Sequence, residues 1–226
     1  MAINESVFKA IIEDLKSKNV TLVAVSKTKP VADIQQLYDL GQRDFGENYV
    51  QELVEKQAQL PPDIRWHFIG HLQSNKVKLL TPFVYMIHGV DSQKLLLEIN
   101  KQASKVNRVI PVLLQVHIAM EETKFGLDEK ELEEIANIVS RLQNVEVRGL
   151  MGMASFTENH DQVRSEFRRL KQLYDLMTIL FTTNSPGSAF SALSMGMSAD
   201  YHIAIEEGSN MVRIGSLLFG ERSKAK

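Results

Sequence analysis

The stretch Thr21-Leu-Val-Ala-Val-Ser-Lys-Thr-Lys-Pro30 decides how the rest of the chain is read. Its first five residues are apolar or β-branched, the composition of a buried strand. Two lysines and a proline end the run abruptly. Pro30 then starts a helix in which Ile34, Leu37 and Tyr38 form the apolar stripe and Gly41 is the stop. A lysine at the mouth of an apolar strand can have its ammonium partly desolvated, which lowers its pKa and frees the amine as a nucleophile. Lys27 and Lys29 are therefore candidate amines. The plain alternative is a pair of solvated lysines closing a strand.

Outward from this unit the same alternation recurs. Upstream, Val7, Phe8, Ile11, Ile12 and Leu15 recur at helical spacing and predict an amphipathic helix ending near Asn19. Downstream, Arg43-Asp-Phe-Gly-Glu-Asn48 is a short strand, and a helix through Val50, Leu53, Val54 and Gln57 is broken by Pro61-Pro62. Arg65-Trp-His-Phe-Ile-Gly70 is a third strand, after which Ser74 is expected to cap a short helix closed by Pro82. Residues 83–90 form a fourth strand, with Asp91 as the expected cap of a helix carrying Leu95, Ile99, Ala103 and Val106. Residues 109–118 are nearly all apolar, as in a strand buried on both faces. Leu132, Ile135, Val139 and Leu142 mark the next helix, and residues 145–154 a sixth strand. A long helix from Val163 to Phe181 ends in Thr182-Thr-Asn-Ser-Pro-Gly187. A seventh strand over 189–195, a short helix over 199–207 with Gly208 as its stop, and an eighth strand over 211–220 complete the chain.

Uninterrupted alternation predicts one α/β domain over residues 1–226, with a parallel sheet. Eight strands at this length suit a (β/α)8 TIM barrel with an extra N-terminal helix. The rival, an open doubly wound sheet, would normally show a glycine-rich turn after an early strand, and no G-x-G-x-x-G occurs.

Composition narrows the function classes. Of 226 residues, 44% are hydrophobic and 24% charged, ordinary for a globular protein with a real core. A formal net charge of −2 gives no reason to expect nucleic acid or an anionic membrane as partner. The chain has no cysteine, which excludes disulfides, thiolate catalysis and cysteine metal sites. Glu5, Glu13 and Asp14 interrupt the first helix, so it does not read as a signal peptide, and no stretch approaches a membrane span. A soluble, cytoplasmic protein is expected.

In a barrel of this kind chemistry gathers at the carboxyl ends of the strands. The residues expected there are Lys27, Glu47, Asn48, His67, His71, His88, Asp91 and His117, then Ser194, Gly196 and Ser198, and finally Arg213, Gly215 and Ser216. Leu193-Ser-Met-Gly-Met-Ser198 runs straight into a short helix, where hydroxyls and backbone N–H groups could meet a phosphate. Gly215 would let the last strand approach the same anion. Arg213 is a charge inside an apolar strand and needs a partner. By the period of two it shares a side with Met211 and Gly215, facing either the barrel or the helices. A cofactor ring nitrogen is one possible partner, and Glu206, Glu207 or Glu47 the alternative. The histidines match no metal spacing: His67 and His71 are four apart, but Ile69-Gly70 at a strand end separates them. Neither a P-loop nor a G-x-S-x-G elbow is present. Lys124 is a second candidate amine, and Lys76 a possible anion contact.

With these segments in order, the chain resembles the pyridoxal phosphate homeostasis protein family over nearly its full length. The resemblance rests on Ala24-Val-Ser-Lys-Thr-Lys-Pro30, Phe45-Gly-Glu-Asn48, Trp66-His-Phe-Ile-Gly-His-Leu-Gln-Ser-Asn-Lys76, Leu193-Ser-Met-Gly-Met-Ser-Ala-Asp200 and Met211-Val-Arg-Ile-Gly-Ser216. It implies a barrel like the N-terminal domain of alanine racemase and a pyridoxal 5'-phosphate (PLP) cofactor held as a covalent aldimine on Lys27. It also implies that Arg213 faces the pyridine nitrogen, that Ser194, Gly215 and Ser216 lie around the phosphate, and that Asn48 is close to the cofactor. Two positions depart from the family pattern. Asn210 stands where threonine is commoner, which weakens a phosphate role for its loop. His117 lies in a segment that differs from the commoner asparagine-containing version and is assigned no role.

An arginine beside the ring nitrogen disfavours its protonation by like-charge repulsion, and so weakens carbanion stabilisation. A racemase also needs a second base opposite the lysine, and no second domain is expected to supply it. The expected function is therefore intracellular PLP (vitamin B6) homeostasis by a monomeric carrier with little or no turnover. PLP-dependent apoenzymes are its expected recipients. A racemase-like enzyme or Schiff-base aldolase is the alternative, and a sugar-phosphate barrel without PLP a third.

Overall fold

A computed structural model of the protein describes residues 3–119, 126–185, 187 and 189–220. Eight parallel strands close in chain order: β1 Thr21–Val25, β2 Asp44–Glu47, β3 Arg65–Phe68, β4 Met86–Val90, β5 Ile110–Gln115, β6 Val145–Met151, β7 Ala192–Met197 and β8 Met211–Ile214. Closure is made by β1, which pairs with β2 at Ala24↔Phe45 and with β8 at Val23↔Arg213. The expected (β/α)8 barrel is present. Its helices are α1 Glu5–Ser17, α2 Val31–Asp39, α3 Val50–Gln57, α4 Val77–Leu80, α5 Gln93–Lys105, α6 Glu129–Ile138, α7 His160–Asn184, α8 Tyr201–Glu206 and α9 Ser216–Phe219. The added helix α1 is tied to the last one, Asn4 N–H donating to Leu218 O at 2.8 Å.

Local chemistry moved several boundaries. The eighth strand stops at Ile214, because Leu218 and Phe219 both donate N–H to Gly215 O and turn the chain into α9, burying their side chains. An apolar run alone does not separate a strand from a buried helix. Ser92, not Asp91, caps α5 by accepting Leu95 N–H, while Asp91 pairs with His71. Ser74 is the first residue of a 3-10 turn, not its cap; the cap position is Gln73, which makes no side-chain capping bond. Helix α6 starts at Glu129 under an Asp128–Glu131 capping box, a signal the apolar spacing does not carry. Lys124 lies outside the described residues.

The strands sort their side chains into two cores. Leu22, Ala24, Phe45, Trp66 and Phe68 face the helices and join the large outer core. Val23, Met86, Leu113, Met151 and Met211 fill the barrel interior. At the amino-terminal mouth the interior becomes polar. Asp44 accepts from Arg65 Nε at 2.7 Å, His67 Nε2 lies 2.9 Å from Asp44, and His67 Nδ1 lies 2.8 Å from His88 Nε2. Expected at the carboxyl ends, His67 and His88 instead sit within their strands, fully enclosed. Burial, then the charges of His67 and Arg213, push His88 well below the usual imidazole range. Asn210 also lies at this mouth, donating to Ser191 O and accepting Leu193 N–H, so it has no bearing on an anion at the other end.

Burial would raise the Asp44 carboxyl, but hydrogen bonds from Arg65 and His67 outweigh it and hold its pKa down to about 2. Its unfolded value is near 3.8, so its stabilisation is fully present above that pH and is lost as pH falls towards 2. In acid unfolding, the wild-type advantage over Asp44→Asn is expected to be about 2 kcal/mol near neutrality, to shrink below pH ~4 and to vanish only below pH ~2. An advantage independent of pH would contradict this.

Candidate functional site

At the carboxyl ends of the strands lies a cavity of ≈ 500 Å³, floored by Met153 of the inner core. The closing seam between β1 and β8 brings its polar residues together. Lys27, Asn48, Arg213, Gly215 and Ser216, from five separate sequence positions, all line it, as does Ser198. Ser194 does not.

Arg213 is the most constrained of these. Met211 packs in the inner core, which settles the period-of-two ambiguity: the arginine faces the barrel, 4% exposed. Nη1 donates to Ser194 Oγ at 2.6 Å and Nη2 to Gly152 O at 3.1 Å. Burial pulls its pKa down to about 10, with Asp200 opposing, so it stays charged at neutral pH. The carboxylates considered as partners are engaged elsewhere: Glu206 and Glu207 with Arg164, and Glu47 with Lys56. A guanidinium has five N–H donors, and these two hydrogen bonds leave capacity for an acceptor in the cavity.

Lys27 lies two residues past the end of β1, in a turn. Alternation along the strand puts Val23 and Val25 on the inner side, and Lys27 lines the cavity above them. Both candidate amines, Lys27 and Lys29, line the cavity. Lys29 Nζ donates to Phe219 O at 2.8 Å and Gly220 O at 3.0 Å, neutralising the carbonyl end of α9. Between them Thr28 has φ +63°, a strained conformation for a β-branched residue that costs roughly 1–3 kcal/mol and is typical of functional sites.

Around the rest of the cavity, Gly215 N–H donates to Ser198 Oγ at 3.2 Å, joining the turns after β7 and β8. A Cβ on Gly215 would lie 3.1 Å from Val25 O, so the close approach of this turn to β1 depends on glycine. Asn48 Oδ1 is buried and unpaired among the described residues. Of the other expected residues, His71 pairs with Asp91 at 3.0 Å on the exposed rim, and Lys76 Nζ lies 3.5 Å from Gln51 Oε1. Glu47 lies behind the wall in the outer layer, accepting Ser26 Oγ at 2.6 Å and Lys56 Nζ at 2.7 Å. Lys56 was not expected at all. Its one signal is position: Glu52 and Lys56 are spaced i,i+4, on a helix that follows Phe45-Gly-Glu-Asn48.

These residues fit PLP. An amine, an inward guanidinium with spare donors, an unpaired amide oxygen and a hydroxyl-lined turn converge on one cavity of small-molecule size. Ser194→Ala is expected to destabilise the cofactor-free protein by about 1–3 kcal/mol in urea unfolding, because Arg213 Nη1 loses a buried acceptor. Unchanged stability would mean that Ser194 does not support the arginine.

Residues 5–223 match the family model for the alanine racemase N-terminal domain. The pyridoxal phosphate homeostasis protein of Aquifex aeolicus is 45% identical over 202 residues, covering 89% of this chain and 86% of that protein. The human pyridoxal phosphate homeostasis protein is 41% identical, covering 100% of this chain and 86% of its own length. Among solved structures, PipY of Synechococcus elongatus superposes without PLP at a TM-score of 0.85 with 36% identity, covering 92% of this chain and 98% of PipY. With PLP bound it superposes at 0.82 with 35% identity over the same shares.

Proposed function

The chain belongs to the pyridoxal phosphate homeostasis protein family, and from that premise we propose that it binds PLP in the β1–β8 cavity as a Schiff base on Lys27, with little or no turnover. The observation that carries this reading is the pairing of Lys27 with an inward, buried, charged Arg213 on one cavity. PLP, when bound, offers an aldehyde for an amine, a pyridine nitrogen for a donor and a phosphate for N–H and O–H groups. Lys27 supplies the amine. Arg213 offers its remaining N–H donors to the ring nitrogen, and its positive charge keeps a proton off that atom. Gly215, Ser216 and Ser198 hold the phosphate end, and Asn48 orients the ring. Ser194 acts one step back from its expected role, fixing the guanidinium rather than touching the phosphate.

In this reading the barrel is a single PLP-binding domain, a monomer working in the cytoplasm with PLP-dependent apoenzymes as recipients. Among the described residues no helix is long and apolar enough to cross a membrane.

Borohydride reduction of the PLP-loaded protein followed by peptide mapping is expected to place the label on Lys27, and Lys27→Ala to abolish both the label and the visible absorption band. Lys29→Met is expected to retain both. A label elsewhere would overturn the site assignment. Robust racemisation or transamination of amino acids by the pure protein would replace the carrier with an enzyme.

A further inference from the structure

The backbone on both sides of Lys27 is tied to one buried ion cluster that the cofactor contacts do not explain. Lys56, on α3, is 5% exposed, and its three N–H bonds are all used. They go to Ser26 O at 2.8 Å, Glu47 Oε1 at 2.7 Å and Glu52 Oε1 at 2.7 Å. Glu52 Oε1 also accepts the N–H of Thr28 at 2.6 Å. Glu47 Oε1 accepts Ser26 Oγ, while its Oε2 is buried and unpaired among the described residues. The residue before Lys27 is thus gripped at its carbonyl and hydroxyl, and the residue after it at its amide.

A buried cluster of this kind is a poor way to gain stability, since apolar side chains of similar volume pack as well without desolvating charge. What it supplies is geometry. Thr28 sits in the left-handed region at φ +63°, where the chain would relax if released. The amide held by Glu52 belongs to that residue. None of Glu47, Glu52 and Lys56 lines the cavity, so the cluster acts on the turn without entering it.

We propose that Glu47, Glu52 and Lys56 are positioning residues, which hold the Ser26–Thr28 turn so that the Lys27 amine enters the cavity in one orientation. The proposal rests on the reading of Lys27 as the PLP attachment point. It adds that capture of an aldehyde by this lysine is governed from behind the wall. Glu52 is the most informative of the three because its side chain is partly exposed, and its loss leaves the Lys56–Glu47 pair intact.

The test compares the rate at which PLP attaches, followed by visible absorbance, in wild type, Glu52→Ala and Glu52→Gln, with unfolding midpoints measured alongside. Glu52→Ala is expected to remain folded and to attach PLP roughly ten- to a hundredfold more slowly. Glu52→Gln keeps an oxygen that can accept from both Thr28 and Lys56, and is expected to recover most of the rate. Attachment by folded Glu52→Ala at the wild-type rate would overturn the proposal. An independent readout needs no variant: the Thr28 amide, on an exposed residue, is expected to be strongly protected from hydrogen exchange in the PLP-free wild type, and exchange at the unstructured rate would also overturn it. Borohydride trapping in the wild type separates the two layers, since a label away from Lys27 sinks the attachment reading whatever Glu52 does.

Discussion

The guanidinium of Arg213 is the constraint around which the upper half of the barrel is arranged. A charge 4% exposed inside a barrel carries a desolvation cost of several kcal/mol unless its donors are answered. The fold answers two of them with neutral oxygens, Ser194 Oγ and Gly152 O. The register Val23↔Arg213 then fixes where the remaining donors can act, because it sets Arg213 on the strand beside the one that ends in Lys27. An acceptor in the cavity would complete the set. That is why the same closure that makes the barrel also makes the site.

The two mouths divide the work. At the amino-terminal mouth Asp44, Arg65, His67 and His88 are linked in a chain through the interior that ends at His88 Nδ1, which is buried and unpaired among the described residues. At the carboxyl-terminal mouth polar atoms are left with spare capacity, Asn48 Oδ1 among them. The strained Thr28 stands at the same end.

Much of this was legible in the sequence, and the failures have specific causes. Strand and helix alternation was readable because each strand is bounded by glycine, proline or charge, and the doubly wound rival lacked its glycine-rich turn. Arg213 was visible as a charge in an apolar run, and alternation limited its direction to two choices. Choosing between them required Met211 in the inner core, a tertiary fact. Ser194 was assigned to the turn after β7, but the strand extends through Met197, so it lies within the wall beneath Arg213. Lys27 and Lys29 share parity and composition, so spacing could not choose between them; the family resemblance points to Lys27, while both lysines line the cavity and Lys29 also bonds the end of α9. Lys56 was invisible because a lysine on a polar helix reads as solvated until the burial of its partners is known.

The measurement that bears most directly on this account is the 15N chemical shift of the pyridine nitrogen in the protein loaded with ring-labelled PLP at neutral pH. Arg213 is charged there and faces the cavity, so the account predicts the shift of an unprotonated, hydrogen-bonded pyridine. It also predicts a large change in that shift when Arg213 is replaced by glutamate. A pyridinium shift in the wild type would contradict the account, since it would mean that some other group, and not Arg213, governs the ring nitrogen.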